Sequence, residues 1–405
     1  MTASKAKLPV LHPVPGFRLG SACAGIKSAV RRDLVVMELV AGSVCAAVFT
    51  RNAFCAAPVL VAREHLQNTP PEYLLVNTGN ANAGTGAAGV RDARQCCSDL
   101  AELAGCPASA VVPFSTGVIG ESLPVDRIRS GLPAALQSLA EDGWQAAASG
   151  ILTTDTRPKG ACRQIEIDGQ LVTITGIAKG SGMIRPDMAT MLAFVATDAR
   201  VGADLLQSCL AAAVGKSFNR ITVDGDTSTN DACVLVATGK VALPEIHSGD
   251  ASFERFSAAV TAVCIELAQA IVRDGEGATR FVTVAVEGGV DADECLRVAY
   301  AIAHSPLVKT ALFAGDPNWG RILAAVGRAG IVNLNLADVE IYLDDVCIVR
   351  DGGRAAGYTE AAGQRVMDQP EITIRVVLGR GDFNEQVWTC DLSCEYVRIN
   401  AEYRS

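Results

Sequence analysis

The sequence predicts a mixed α/β protein built in layers. Short β-branched runs alternate with alanine-rich helical runs throughout, the pattern of α/β layering, while apolar residues at 49%, charged residues at 20% and 38 glycines against 20 Phe, Tyr and Trp are the balance of a compact globular protein. At 405 residues the chain exceeds what one core usually holds, so two lobes of roughly 150–200 residues each are expected.

In the first lobe LVVMELVA, SVCAAVFT and YLLVNTG suit strands. VRDARQCCSDLAELAG suits a helix, with Val90, Ala93, Cys97, Leu100 and Ala101 near helical spacing. Beyond residue 190 the order repeats as strand TMLAFVATDA, helix GADLLQSCLAAAVGKSF, strand ACVLVATGKV, helix FERFSAAVTAVCIELAQAIVRDG and strand RFVTVAVEGG. A further βα-rich section begins at about Ala292, with a helix over LRVAYAIAHSPLVKTALF and strands over VEIYLDDVCIV and EITIRVVLG. No internal repeat is exact.

A net charge of −9 with no basic run lacks the electrostatic footprint of a nucleic-acid binder. The N-terminal residues MTASKAKLPVLHPVPGFRLG lack a signal peptide's apolar segment, and no uncharged apolar stretch approaches membrane-spanning length, so a cytoplasmic protein without membrane contact is expected. Fourteen cysteines lie dispersed in apolar runs, Cys96 and Cys97 adjacent, Cys390 and Cys394 four apart, with no CxxC; they read as reduced core thiols. Histidines scattered at 12, 65, 247 and 304 make a zinc site improbable, and no metal is expected.

GTGAAG, residues 84–89, fits G-x-G-x-x-G, but the seven residues NTGNANA separate it from the preceding strand, whereas a dinucleotide loop turns directly off the strand end. A Gly/Asn turn is the better reading. DGDTSTND, residues 224–231, resembles a calcium loop, yet its glycine is second rather than sixth and Leu235 stands where a bidentate glutamate is required. An Asx-rich turn bordering a site fits better.

The segment KGSGMIRPDMATMLAF, residues 179–194, places Thr190 where a glycine-broken stretch meets an apolar strand. A threonine hydroxyl needs a base beside it, and one such base is the residue's own α-amine, freed when the Ala189–Thr190 bond is cut. A threonine opening a strand is also ordinary. In FSTGVIGE, Thr116 and Gly117 follow an apolar run and offer a hydroxyl and an unhindered N–H for an oxyanion hole; alone, STG is only a turn. RDGEGATRF ends a helix with Gly275 and Gly277 and presents Glu276, a carboxylate suited to an amine; alone, GEG is a helix cap.

Taken together, NTGNANAGTG, FSTGVIGE, ILTTDT, AKGSGMIRPDMATMLAF, NRITVDGDTSTND, RDGEGATRF, FAGDPNWGRI and the ending INAEYRS resemble closely the ornithine acetyltransferase family of arginine biosynthesis, also called the glutamate N-acetyltransferases. The resemblance implies a self-cleaving, layered α/β fold with an N-terminal threonine nucleophile, of the DmpA/ornithine acetyltransferase type. It implies cleavage between Ala189 and Thr190 into an α chain, residues 1–189, and a β chain, residues 190–405; the βα-rich pattern from about Ala292 reads by itself as a C-terminal subdomain of the latter. By the family pattern Thr190 is the nucleophile, Thr116 and Gly117 form the oxyanion hole, and Thr153, Lys179, Thr190, Glu276, Asn400 and Ser405 bind substrate. The implied reaction carries acetyl from N2-acetylornithine to glutamate through an acetyl-threonine, with no metal or cofactor. Acetyl-CoA as an alternative donor, which would make the enzyme bifunctional, is left open, and a heterotetramer of two α and two β chains follows from the family. Arg280 stands where lysine is usual, and EYRS replaces an ending in two threonines. The rival readings are a self-cleaving aminopeptidase or amidohydrolase with water as acceptor, and a non-enzymatic amino-acid sensor on the same fold.

Overall fold

The computed structural model describes residues 8–27, 30–185 and 191–402. Two compact units divide the chain: Met1–Asn219 with Asp226–Ile271, and Arg220–Gly225 with Val272–Ser405.

In chain order the first unit contains β1 (Phe17–Ala22), β2 (Leu34–Leu39), β3 (Val44–Phe49), α1 (Ala57–Asn68), β4 (Tyr73–Asn80), α2 (Gly86–Ala104) and β5 (Val111–Val118). There follow α3 (Val125–Gln137), α4 (Trp144–Gly150), β6 (Lys159–Ile167), β7 (Gln170–Lys179), β8 (Leu192–Thr197), α5 (Ala203–Lys216), β9 (Ala232–Ala237) and α6 (Ala251–Arg273). These strands make two sheets, ordered β1-β2-β4-β5 and β3-β9-β8-β7-β6. Met37, Leu74 and Phe114 of the first sheet share one buried cluster with Ile177, Phe194 and Val234 of the second, so the sheets pack face to face. Across that core the Phe114 and Phe194 rings meet edge to face at 5.1 Å.

The outer face of the first sheet buries Leu34, Val36 and Leu75 against Cys97 and Leu100 of α2 and Ile128 and Leu132 of α3. On the outer face of the second, Val263 and Leu267 of α6 pack on β7 at Gly176, and α5 lies against β3 and β9. The result is four layers: helices, sheet, sheet, helices. With 23 residues and a mean hydropathy of 1.5 over its apolar window, α6 would be long and apolar enough to cross a membrane. Its Glu266 nevertheless pairs with Arg163 of β6 at 2.7 Å while Phe256, Val260 and Leu267 are buried, the pattern of a covering helix.

The second unit has β10 (Phe281–Gly289), α7 (Ala292–Ala303), α8 (Pro306–Ala314), α9 (Trp319–Gly327), β11 (Glu340–Leu343), β12 (Val346–Arg350) and β13 (Gly353–Arg354). It closes with α10 (Glu360–Met367), β14 (Glu371–Val377), β15 (Phe383–Cys390) and α11 (Cys394–Ala401). Its six-stranded sheet runs β13-β12-β11-β14-β10-β15, and Val282, Ile341 and Ile374 bury one face against Val298 and Ile302 of α7 and Ile322 of α9.

Three sequence expectations are corrected. The single helix over LRVAYAIAHSPLVKTALF is two, α7 and α8, because Pro306 cannot continue a helix but can start one, and Ser305 caps α8 by accepting from Val308 N. The strand over VEIYLDDVCIV is the hairpin β11–β12, turned at Asp344 (φ +47°), whose carboxylate also accepts from Thr373 N at 2.8 Å. Strand β8 opens at Leu192, two residues after Thr190 rather than on it.

The core makes the Phe114 ring a direct test of the sheet packing. Phe114→Ala should lower unfolding free energy by about 3–5 kcal/mol, read from denaturant midpoints, because the ring joins the two sheets and its cavity has little freedom to collapse.

Candidate active site

Strand β5 carries Ser115, Thr116 and Gly117 within its ladder, not in a turn as a lone STG would suggest. Beside them β4 is irregular, with Asn80 pairing both Thr116 and Val118. Gly117 has φ +138°, and a Cβ there would lie 2.3 Å from Gly79 C and 2.5 Å from Asn80 N. Only glycine allows that approach of backbone to backbone. Ser115 donates to Asn77 Oδ1 at 2.6 Å, and Asn77 donates to Asn80 O at 2.9 Å, which fixes the irregularity from beneath.

Lys179 ends β7, is 9% exposed, and donates from Nζ to Thr116 Oγ1 at 3.2 Å. Two residues 63 positions apart thus meet because their strands lie in facing sheets. Since Thr116 accepts that bond, its own O–H remains a donor for another group, and a bond received from an ammonium strengthens the donor.

Thr153 is half-buried, and its segment is tied to the end of β7 by Asp155. The Asp155 carboxylate accepts from Lys159 Nζ at 2.6 Å, Gly180 N at 2.7 Å and Thr153 N at 3.0 Å. Thr154 and Ser181 hydroxyls meet at 2.7 Å, and Arg31 donates to Thr153 O at 3.0 Å. Burial disfavours the Asp155 charge, but Lys159 and Lys179 outweigh it and hold the carboxyl well below the usual carboxylate range. Side chains of the Asp155–Lys159 pair are 0% and 1% exposed.

Within residues 226–231, Asn230 donates to the carbonyls of Ala81 and Ser115, the latter at 2.9 Å, so this loop borders the STG strand as the Asx-turn reading expected. Burial pushes the adjacent Asp231 carboxyl well above its usual range, against the opposing effects of Ser228 and Lys179. The glycines at 84–89 form a turn into α2 that Asn82 closes, accepting from Thr85 Oγ1 at 2.8 Å and donating to Gly89 O at 2.9 Å.

In the second unit Glu276 is 8% exposed and accepts from Asn400 Nδ2 at 2.8 Å. A Cβ on Gly277 (φ +68°) would meet Tyr396 N at 2.5 Å, so glycine lets the GEG turn sit against the start of α11, where Ser393 donates to Gly277 O at 2.7 Å. Asp391 accepts from Thr279 N, Thr279 Oγ1 and Arg280 N at 2.7–2.8 Å. Arg280 donates to the carbonyls of Leu312, Phe313 and Met367, the first two at the end of α8, so its guanidinium fork serves three acceptors beside the segment carrying Glu276.

The structure therefore brings Thr116, Gly117, Lys179 and the Thr153 segment together in the first unit, and Glu276 with Asn400 in the second. Ala189, Thr190 and Ser405 lie outside the described residues. Sequence reading did not single out Asp155, Lys159, Asn230 or Asp231, although ILTTDT and NRITVDGDTSTND contain three of them. All fourteen cysteines are unpaired, and burial pushes thiols such as Cys96 and Cys264 up to about 12. Among the described residues no cluster of His, Cys, Asp and Glu could hold a metal ion.

Fold and site define a layered α/β protein whose polarised hydroxyl and buried ammonium suit acyl chemistry. Residues 18–405 match the ArgJ family. The chain is 60% identical over 406 residues to the arginine biosynthesis bifunctional protein ArgJ of Pseudomonas fluorescens, covering the whole of both chains. It is 62% identical over 395 residues to that of Methylococcus capsulatus, covering 98% of this chain and 97% of the relative. A crystal structure of the arginine biosynthesis bifunctional protein argJ from Bacillus halodurans is similar at 38% identity and a TM-score of 0.50, over 52% of this chain and 99% of that one. The chain belongs to the ArgJ family. It is accordingly an enzyme, a transferase acting on small molecules.

Asp155→Ala removes the buried carboxylate that accepts from Lys159 and should lower stability by about 3–5 kcal/mol near neutral pH. Because the folded carboxyl titrates below its unfolded value of about 3.9, its contribution is fully present above that pH and fades as pH falls toward the folded value. The gap in denaturant midpoint between wild type and variant should therefore narrow below about pH 4.

Proposed function

We propose that the enzyme transfers acetyl from N2-acetylornithine to glutamate in arginine biosynthesis, by a ping-pong route through an acetyl ester of Thr190. The observation that carries this reading is the buried Lys179–Thr116 hydrogen bond, which leaves the Thr116 hydroxyl as a strengthened donor next to Gly117, whose lack of a side chain permits the close backbone approach there. Such a pair suits the oxyanion of a tetrahedral acyl intermediate.

The chain first cuts itself. The Thr190 hydroxyl attacks the Ala189 carbonyl, the C–N bond breaks, and water releases the ester, leaving a carboxylate on Ala189 and a free amine on Thr190. This defines the α chain 1–189 and the β chain 190–405. A half-length solved relative, 99% of which matches 52% of this chain, is what cleavage near the middle would leave. In turnover the Thr190 amine takes the proton from its own hydroxyl, the oxygen attacks the acetyl carbonyl, and ornithine leaves with that proton. The glutamate amine then attacks the ester, N-acetylglutamate departs, and a proton returns to Thr190 oxygen.

Thr153, Lys179, Glu276, Asn400 and Ser405 bind the substrates in turn. Lys179 suits the α-carboxylate that ornithine and glutamate share, and Glu276, oriented by Asn400, suits ornithine's distal amine. No cofactor is needed. Acetyl-CoA as a second donor, for an enzyme whose relatives are named bifunctional, and a cytoplasmic heterotetramer of two α and two β chains complete the proposal.

Incubation with N-acetylornithine and glutamate without coenzyme A tests it: ornithine and N-acetylglutamate should form in equal amounts. Free acetate released at the rate of ornithine, unaffected by glutamate, would make the enzyme a hydrolase. On a denaturing gel the wild type should run as two fragments and Thr190→Ala as one inactive chain; a wild type that stays whole yet active would sink the cleavage. Thr116→Ala should slow kcat by about 10²–10³ with a smaller effect on KM. A change confined to KM would place Thr116 in binding instead.

A further inference from the structure

Asp391 is 2% exposed, and all three of its hydrogen-bond donors belong to the segment that carries Glu276. Its Oδ1 accepts from Thr279 N and Arg280 N, each at 2.8 Å, and its Oδ2 accepts from Thr279 Oγ1 at 2.7 Å. None of these donors is a cationic side chain. A carboxylate taken out of water is costly unless both oxygens are well satisfied, so Asp391 stays buried only while it grips this segment.

The gripped segment is a tight turn. Ala278 N donates to Gly275 O at 2.9 Å, which closes four residues with Glu276 and Gly277 at the centre, and Gly277 has the φ of +68° that a type II turn needs at its third position. Both feet of the turn rest on one dipeptide. On one side a Cβ on Gly275 would lie 3.3 Å from Cys390 Sγ, so Gly275 packs directly on that thiol; on the other, Thr279 and Arg280 hang on Asp391. The dipeptide is itself fixed to α8: the buried Lys309 ammonium donates to Thr389 Oγ1 at 2.9 Å and to Cys390 O, and Leu392 N donates to Lys309 O at 3.1 Å. Helix α8 thus anchors the end of β15, the end of β15 anchors the turn, and the turn sets where the Glu276 carboxyl stands.

We propose that Asp391 is a positioning residue for donor specificity: by fixing the turn it holds the Glu276 carboxyl in place for the distal ammonium of the ornithine donor. The proposal rests on the assignment of Glu276 to that ammonium. Asp391 touches no substrate and acts only through the turn. Its loss therefore weakens recognition of the distal charge and leaves the acyl chemistry, which belongs to Thr116 and Gly117 in the first unit, as it was.

The test compares two donors to glutamate, N2-acetylornithine and N2-acetylnorvaline, the second having hydrogen in place of the distal amine. Asp391→Ala should lower the ratio of their kcat/KM values about tenfold, through N2-acetylornithine alone. Asp391→Asn keeps an oxygen for the two N–H groups and offers its amide to the Thr279 hydroxyl, so the ratio should stay within about threefold of wild type. Should the alanine variant fail to fold, Thr279→Val removes one strap and should lower the ratio about threefold, while Thr279→Ser restores it. An unchanged ratio in the folded variant, an equal loss toward both donors, or an asparagine variant as poor as alanine would overturn the proposal. Glu276→Ala separates this from the reading it rests on, since there the ratio should collapse about 10²-fold. If that ratio holds, the assignment of Glu276 falls and the proposal with it; if it collapses while Asp391→Ala leaves the ratio unchanged, only the positioning role falls.

Discussion

One buried carboxylate, Asp155, sets the position of the chain as it leaves β7. It accepts from Lys159, Thr153 N and Gly180 N, and so joins the turn after α4, the start of β6 and the end of β7 at one point. Two ammonium groups, Lys159 and Lys179, act on it from a nearly dry interior. A carboxylate between these like charges offsets part of their repulsion and of their desolvation. Asp155 thus permits Lys179 to be buried, and a buried Lys179 is what polarises Thr116.

The layers serve the same end from the other side. Thr116 and Gly117 are held by β5 at the place where β4 bulges, and β5 is anchored through Phe114 in the core shared with the second sheet. Acyl transfer gains most from donors that need not move as charge develops. Here the hydroxyl stands on β5, the edge strand anchored through Phe114, its partner ammonium stands on a strand of the facing sheet, and Gly117 next to it is required by a 2.3 Å approach to Gly79. Rigidity of the fold becomes preorganisation of the site.

Much of this was legible in the sequence where the information is local. Strands such as LVVMELVA and ACVLVATGKV and the helix over VRDARQCCSDLAELAG follow from periodicity, and their positions agree with β2, β9 and α2. Local chemistry read too coarsely gave the errors: Ser305-Pro306 starts a new helix, and the two aspartates in VEIYLDDVCIV turn a strand back on itself. The site was legible as a set of strings but not as a network. Lys179 meets Thr116 across 63 residues and Asn230 meets Ser115 across 115, and no spacing rule reveals such pairs. Asp155 and Asp231 were overlooked for the same reason, since a carboxylate reads as a surface charge until its partners and burial are known.

The central claim, that a threonine made N-terminal by self-cleavage carries the acetyl group, is tested most directly by mass spectrometry of enzyme exposed to N-acetylornithine alone. The account predicts that the fragment 190–405 gains one acetyl group, located on the Thr190 oxygen, and that adding glutamate removes it as N-acetylglutamate. Release of ornithine with that fragment unmodified, or an acetyl group on another residue that glutamate discharges, would contradict it.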